Sequence, residues 1–230
     1  MISKCLNENK PSFLCSGEGA TDLGNGKPGA LFKLIEQICV VEDKDYVGFC
    51  FIEKTVKAPM QLPGKNKDFA FIPDPDLMNQ SGKKFGKKAF NLAKLAIIND
   101  CDGAILFADC DKTNSNSRNI HQEMVAEITY AFSLFKGFHG IAMIPKHLSE
   151  VWLLQALTKK NCIQLETLPS NASSNHNSKE KYKEELKKIY PNLIFEKATY
   201  EHIETLSYTD INCQSFTNFL DNFVEKLSHI

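Results

Sequence analysis

The sequence predicts an α/β protein with a mainly parallel central sheet and helices on both faces. Three observations carry that expectation. Short apolar runs of strand length alternate with longer segments whose apolar residues recur at helical spacing. The clearest of these strands, Asp102 to Ala108, runs directly onto a pair of aspartates. Of the 230 residues, 43% are hydrophobic and 24% charged, which suits one domain with a real core and some elaborations.

Each element follows from its own pattern. Ser12 to Cys15 is a short apolar run entering a tight loop at Ser16-Gly17-Glu18-Gly19, and reads as a strand. Ala30 to Val41 places Leu31, Leu34, Ile35 and Ile38 on one helical face, the face expected to meet the core. Tyr46 to Glu53, rich in aromatic and β-branched residues, reads as a strand, and Asp68 to Ile72 as a further short one. Lys83 to Asp100 is lysine-rich at its start and then apolar with helical period. Ile120 to Phe135 is an amphipathic helix, and Phe138 to Ile144 a buried strand. Ser149 to Leu157 is a helix carrying the only tryptophan, Trp152, with Ser149 as its expected N-cap.

The last third is expected to be helical. Residues 1–168 form the α/β domain in this reading, residues 169–179 a Ser/Asn-rich linker or loop, and residues 180–230 a helical C-terminal extension packing on the domain. Glu180 to Tyr190, Tyr200 to Ser207 and Cys213 to Leu227 are its helices. The last carries Phe216, Phe219, Leu220 and Phe223 at helical spacing, a stripe suited to a cap or a partner surface.

Composition narrows the function classes. The formal net charge of −1 gives no global attraction to nucleic acid or anionic membrane, so any such contact needs a local basic patch. Eight cysteines are scattered without a C-x-x-C pair, which argues against both a zinc site and a disulfide framework. Met1 to Pro11 is polar and does not read as a signal peptide, and no apolar run has the roughly 20 residues needed to span a bilayer. A cytoplasmic protein with reduced thiols and no membrane partner is therefore expected.

Two acidic segments carry the chemistry. Glu18 sits in the glycine-lined loop Ser16-Gly17-Glu18-Gly19, with Asp22 shortly after it. Asp109 and Asp111 form a D-x-D at the end of a buried strand. In a parallel sheet the C-terminal ends of all strands share one edge, so these carboxylates can converge. Like charges brought together raise each other's pKa unless a cation neutralises them, and hard oxygen ligands suit Mg²⁺ or Mn²⁺. Asp22 reads equally as an outer ligand or as a cap of the first helix. Glu150 reads as a ligand for a second ion or as a first-turn glutamate favoured by the helix dipole. Glu127 is expected on a solvated face, with Glu123 a weak further candidate.

Basic residues are almost all lysine. Lys83, Lys84, Lys87 and Lys88 form a local cluster that reads either as a phosphate-backbone contact or as a solvated helix face. Lys112 and Arg118, the single arginine, follow the D-x-D and are candidates to meet a scissile phosphate. Gly24 to Gly29 lacks the Walker A pattern. The histidines show no metal-ligand spacing, and there is no G-x-S-x-G.

The Glu-Gly-x-x-Asp loop after the first strand, with a later apolar strand and D-x-D, resembles the Toprim domain of topoisomerases, bacterial-type primases and OLD (overcoming lysogenization defect) nucleases. Glu18 matches the family's glutamate, and Asp109 and Asp111 its D-x-D. The Trp152 helix, Lys179 and Ser215-Phe216 are similar to a small Toprim-like subgroup of unknown function. Its members are associated with phage defence and often lie beside an ATPase. Asn25 to Gly29 makes the first loop longer and richer in glycine than is usual. The resemblance implies a Toprim-like fold and a Mg²⁺- or Mn²⁺-dependent nuclease or related phosphoryl-transfer enzyme acting on nucleic acid. Glu18, Asp109 and Asp111 would be catalytic and metal-binding, with Asp22 and Glu150 completing a second metal position. Two rivals stand beside it. One is a non-catalytic metal- or nucleotide-binding regulatory module working with an ATPase partner. The other is a primase-like nucleotidyl transferase, which lacks a zinc-binding primase region here.

Overall fold

A computed structural model of the chain describes residues 10–17, 30–52, 84–110, 120–146, 148–166, 182, 184–189 and 206–230. Strands β1 (Ser12–Ser16), β2 (Gly48–Ile52), β3 (Gly103–Phe107) and β4 (His139–Met143) form one all-parallel sheet in the order β2-β1-β3-β4. Around it lie helices α1 (Ala30–Val41), α2 (Lys84–Ile98), α3 (Ile120–Ser133), α4 (Ser149–Thr158), the short α5 (Cys162–Glu166) and α6 (Gln214–Ser228). The expected α/β class holds. The expected strand at Asp68 to Ile72 lies outside the described residues. Residues 182 and 184–189 are helical, as the pattern from Glu180 to Tyr190 predicts. The expected helix ending at Ser207 is not seen in its described part, where Leu206 and Ser207 are irregular.

Period-two alternation sorts the central strands between two cores. Phe13, Cys15, Ile105 and Phe107 face a core that includes Leu31, Leu34, Ile35 and Ile38 of α1. Leu14, Ala104 and Leu106 face the opposite core, built with Ala89, Leu92, Ala93 and Ala96 of α2 and Met124, Ile128 and Ala131 of α3. Every residue of β1 and β3 is buried, as expected for inner strands of a sheet covered on both faces. Packing is close where β3 begins: a Cβ on Gly103 would collide with the ring of Phe13 and the carbonyl of His139.

The C-terminal segment is part of the main core. Phe216, Phe219 and Phe223 of α6 are at most 2% exposed and belong to the same core as α1. The Phe223 ring meets Phe13 of β1 edge-on at 6.2 Å, and Phe216 meets Trp152 of α4 edge-on at 5.1 Å. The phenylalanine stripe is thus covered by the sheet and α4, so of its two readings, a cap or a partner surface, the second is ruled out for these residues. Polar side chains hold the approach to α6. The side chain of Gln37 donates to the Leu206 carbonyl at 2.6 Å and accepts from the Tyr208 N–H at 2.9 Å. Gln155 accepts from the Asn212 N–H at 2.7 Å. No helix among the described residues is long and apolar enough to cross a membrane.

Candidate metal centre

The strand order sets where a site can form. The chain leaves β1 toward β2 on one side, then returns past β1 to reach β3 on the other. The crossovers diverge between β1 and β3, so the C-terminal ends of these two strands flank the topological switch point, where open α/β sheets bind ligands. Ser16 of β1 is in register with Leu106 of β3. The glycine–glutamate loop and the D-x-D, singled out from sequence, are the segments that follow these two strand ends. Glu18, Asp22, Asp111, Lys83, Lys112 and Arg118 themselves lie outside the described residues.

Asp109 and Glu150 are described, and the structure brings them to one place. Helix α4 starts at this edge, after β4, and its first-turn N–H groups need acceptors. The expected cap, Ser149, does not supply one. The N-cap position is Leu148, without a side-chain cap bond, and Ser149 is the first helical residue. Asp109 accepts the Ser149 backbone N–H at 3.0 Å instead. The Ser149 hydroxyl donates to Glu150 Oε2 at 3.3 Å. Glu150 is only 8% exposed. Two carboxylates therefore share one serine at the start of a helix, where the dipole favours negative charge. Asp109 thus has a structural duty beyond any ligand role.

Other groups line the same edge. His121, in the first turn of α3, lies 2.8 Å from the Ile144 carbonyl through Nε2. A carbonyl can only accept, so Nε2 carries the proton and the lone pair of the neutral ring is on Nδ1. Burial pushes the His121 pKa down; the Ile144 carbonyl and the charge of Glu166 oppose that, and Lys146 adds to it. His121 escaped the sequence reading because it has no histidine at ligand spacing. Its place in the first turn after the D-x-D loop was the available signal. Glu123 is exposed in the same turn.

Glu127 is corrected: it is half-buried, and accepts the Gly86 N–H of α2 at 3.4 Å, tying two helices together. Lys84, Lys87 and Lys88 occupy the first turns of α2. Lys84 and Lys88 stand 5.8 and 5.3 Å from the centre of the Phe85 ring. That ring helps fix the cluster, while Lys84 stays exposed.

A second cluster was not foreseen. Cys162 of α5 and Cys213, the N-cap of α6, are joined by a disulfide across 51 residues, with Cα atoms 5.2 Å apart. Cys50 is disulfide-bonded as well. Both findings correct the expectation of a chain without disulfides. Cys15 and Cys39 remain as thiols, pushed upward by burial, Cys39 to about 12. Beside Cys162 and Cys213, buried Glu166 accepts from the Ser215 N–H at 3.3 Å and from the Ser215 hydroxyl. Trp152 Nε1–H donates to that hydroxyl oxygen at 2.8 Å. No family model, curated protein or solved structure matches the chain.

Proposed function

We propose that the chain is a Toprim-like, Mg²⁺- or Mn²⁺-dependent phosphoryl-transfer enzyme, with a nuclease as the leading form. The observation that carries this reading is the pairing of β1 with β3 in register from Phe13↔Gly103 to Ser16↔Leu106. It makes neighbours of the two strands that precede the acidic motifs in sequence, on either side of the switch point. The donor chemistry fits the ion: Asp109 and Glu150 offer hard carboxylate oxygens next to a helix N-terminus.

In this reading Asp109 and Asp111 hold the ion, Glu18 acts as ligand or general acid/base, and Asp22 and Glu150 serve a second position. A bound Mg²⁺ supplies charge stabilisation to the phosphoryl oxygens. The residues of the chain do the positioning. The Ser149 N–H orients Asp109, and the Ser149 hydroxyl orients Glu150. The α2 lysines and Lys112 or Arg118 contact the phosphate backbone.

The test is a Mg²⁺/Mn²⁺ cleavage panel over DNA, RNA and tRNA, with an Asp109→Asn/Asp111→Asn double variant as control. The amide oxygen introduced at position 109 retains an acceptor for the Ser149 N–H, so the fold is preserved. Cleavage lost in the variant supports the reading. Equal cleavage by both proteins, or cleavage of none of the three by the wild-type chain, overturns it.

A further inference from the structure

We propose that Cys162, Cys213 and Glu166 form a Zn²⁺ site in the reduced chain, which the Cys162–Cys213 disulfide closes. Sequence spacing hides this cluster, because 51 residues separate the two cysteines. Folding brings them together where the short helix α5 meets the start of α6. Both sulfurs and a Glu166 oxygen lie within 4.8 Å of one another, and all three residues are buried. Zinc takes thiolate sulfur at about 2.3 Å and carboxylate oxygen at about 2.0–2.2 Å, so three such donors around one ion lie roughly 3–4 Å apart. Small side-chain rotations reach that arrangement once the sulfur–sulfur bond is open.

Two further features favour a cation here. Both hydrogen bonds to Glu166 fall on Oε1; among the described residues Oε2 accepts none. A carboxylate only 8% exposed thus keeps acceptor capacity that no described residue uses, within a cluster that holds two sulfurs. Cys213 is the N-cap of the fifteen-residue helix α6, and a helix N-terminus stabilises the thiolate form that a metal requires. The S₂O donor set selects zinc over the hard ions suited to the Asp109 edge. With three protein ligands, the fourth tetrahedral position is open to water or a further ligand.

Oxidation and metal binding are then mutually exclusive. A small-molecule disulfide such as oxidised glutathione accepts the two electrons of the thiolates. The Cys162–Cys213 bond forms, the glutathione sulfur–sulfur bond breaks, Zn²⁺ is released, and the two glutathione thiolates set free take up two protons from the solvent. Trp152 reports on the event, since its indole N–H is one hydroxyl away from Glu166 through Ser215.

The experiment uses the full chain carrying Asp109→Asn and Asp111→Asn, so that the other acidic site does not contribute. It is stripped of metal, then either reduced with a phosphine or oxidised with glutathione disulfide, and Zn²⁺ is titrated against a chromophoric chelator. The reduced chain is expected to take up one more equivalent of Zn²⁺ than either the oxidised chain or a reduced Cys162→Ser/Cys213→Ser variant. Glu166→Gln is expected to weaken that site at least ten-fold. Co²⁺ in place of Zn²⁺ should give a near-ultraviolet thiolate charge-transfer band only in the reduced chain. The reduced and oxidised samples are one and the same protein, so that comparison does not depend on the double-serine variant folding. Equal Zn²⁺ uptake by the reduced and oxidised chains, or by the reduced chain and its double-serine variant, overturns the proposal and leaves the Asp109 reading untouched.

Discussion

The side chain of Asp109, at the end of β3, accepts the backbone N–H of Ser149, the first residue of α4, at 3.0 Å. One carboxylate thereby serves both a candidate metal edge and the start of a helix. Substitutions that separate charge from hydrogen bonding separate those duties. Asp109→Ala removes a cap and is expected to cost about 1 kcal/mol of stability, within the usual range of roughly 0.5–2 kcal/mol. Asp109→Asn keeps an acceptor and is expected to unfold at nearly the wild-type urea midpoint. Both are expected to lose Mg²⁺-dependent activity. Should Asp109→Ala match the wild type in urea, the cap is not contributing.

Ser215 is the middle of a buried relay from Trp152 to Glu166. Ser215→Ala removes a donor from Glu166 and an acceptor from Trp152 at once, leaving buried polar atoms unsatisfied. The expected loss is about 1–3 kcal/mol, read from urea unfolding. It should come with a shift in Trp152 fluorescence, because the indole N–H loses its partner. An unchanged emission maximum would contradict the relay.

Phe223 faces Phe13 and is fully buried, so α6 is a layer of the α/β core. Phe223→Ala is expected to cost about 3–5 kcal/mol through lost burial and the cavity left behind. The unfolding should remain a single transition by both circular dichroism and Trp152 fluorescence. Two separated transitions would instead mark 180–230 as an independent extension.

These predictions lean on features that differ in how far the sequence disclosed them. Period made the elements readable: Leu31, Leu34, Ile35 and Ile38 were expected on one face of a helix, and all are at most 1% exposed. The Phe216, Phe219 and Phe223 stripe was equally readable as apolar, but periodicity says that a face is buried, not what buries it. The misreadings share one cause, which is a partner distant in sequence. Ser149 looked like a cap because its neighbours fit the pattern, whereas the real acceptor is 40 residues upstream. Glu127 looked solvated because its partner is a backbone N–H of another helix, 41 residues away. Cys162 and Cys213 carry no local signal at all. For the acidic site, the D-x-D was readable since it abuts an unbroken apolar strand. The parallel order β2-β1-β3-β4 then sets that strand beside the one preceding Glu18.

His121 supplies a prediction about pH. Burial lowers its pKa below the ordinary 6.5, and its Nε2–H bond to Ile144 keeps the neutral ring in one tautomer. The sign follows from linkage. In the unfolded chain the ring binds a proton near 6.5, and in the folded chain only at lower pH. The folded state therefore loses stability as pH falls from the unfolded value through the folded one, and has the full contribution above it. His121→Gln retains a side-chain donor for the Ile144 carbonyl but does not titrate. Its urea midpoint is expected to fall less than that of the wild type between about pH 7 and pH 5, the range in which histidine changes charge. Nitrogen-15 NMR should report a neutral ring protonated on Nε2 at pH 7. A ring protonated on Nδ1, or a titration midpoint above 6.5, would show that burial does not govern this histidine and that the Ile144 bond is not its anchor.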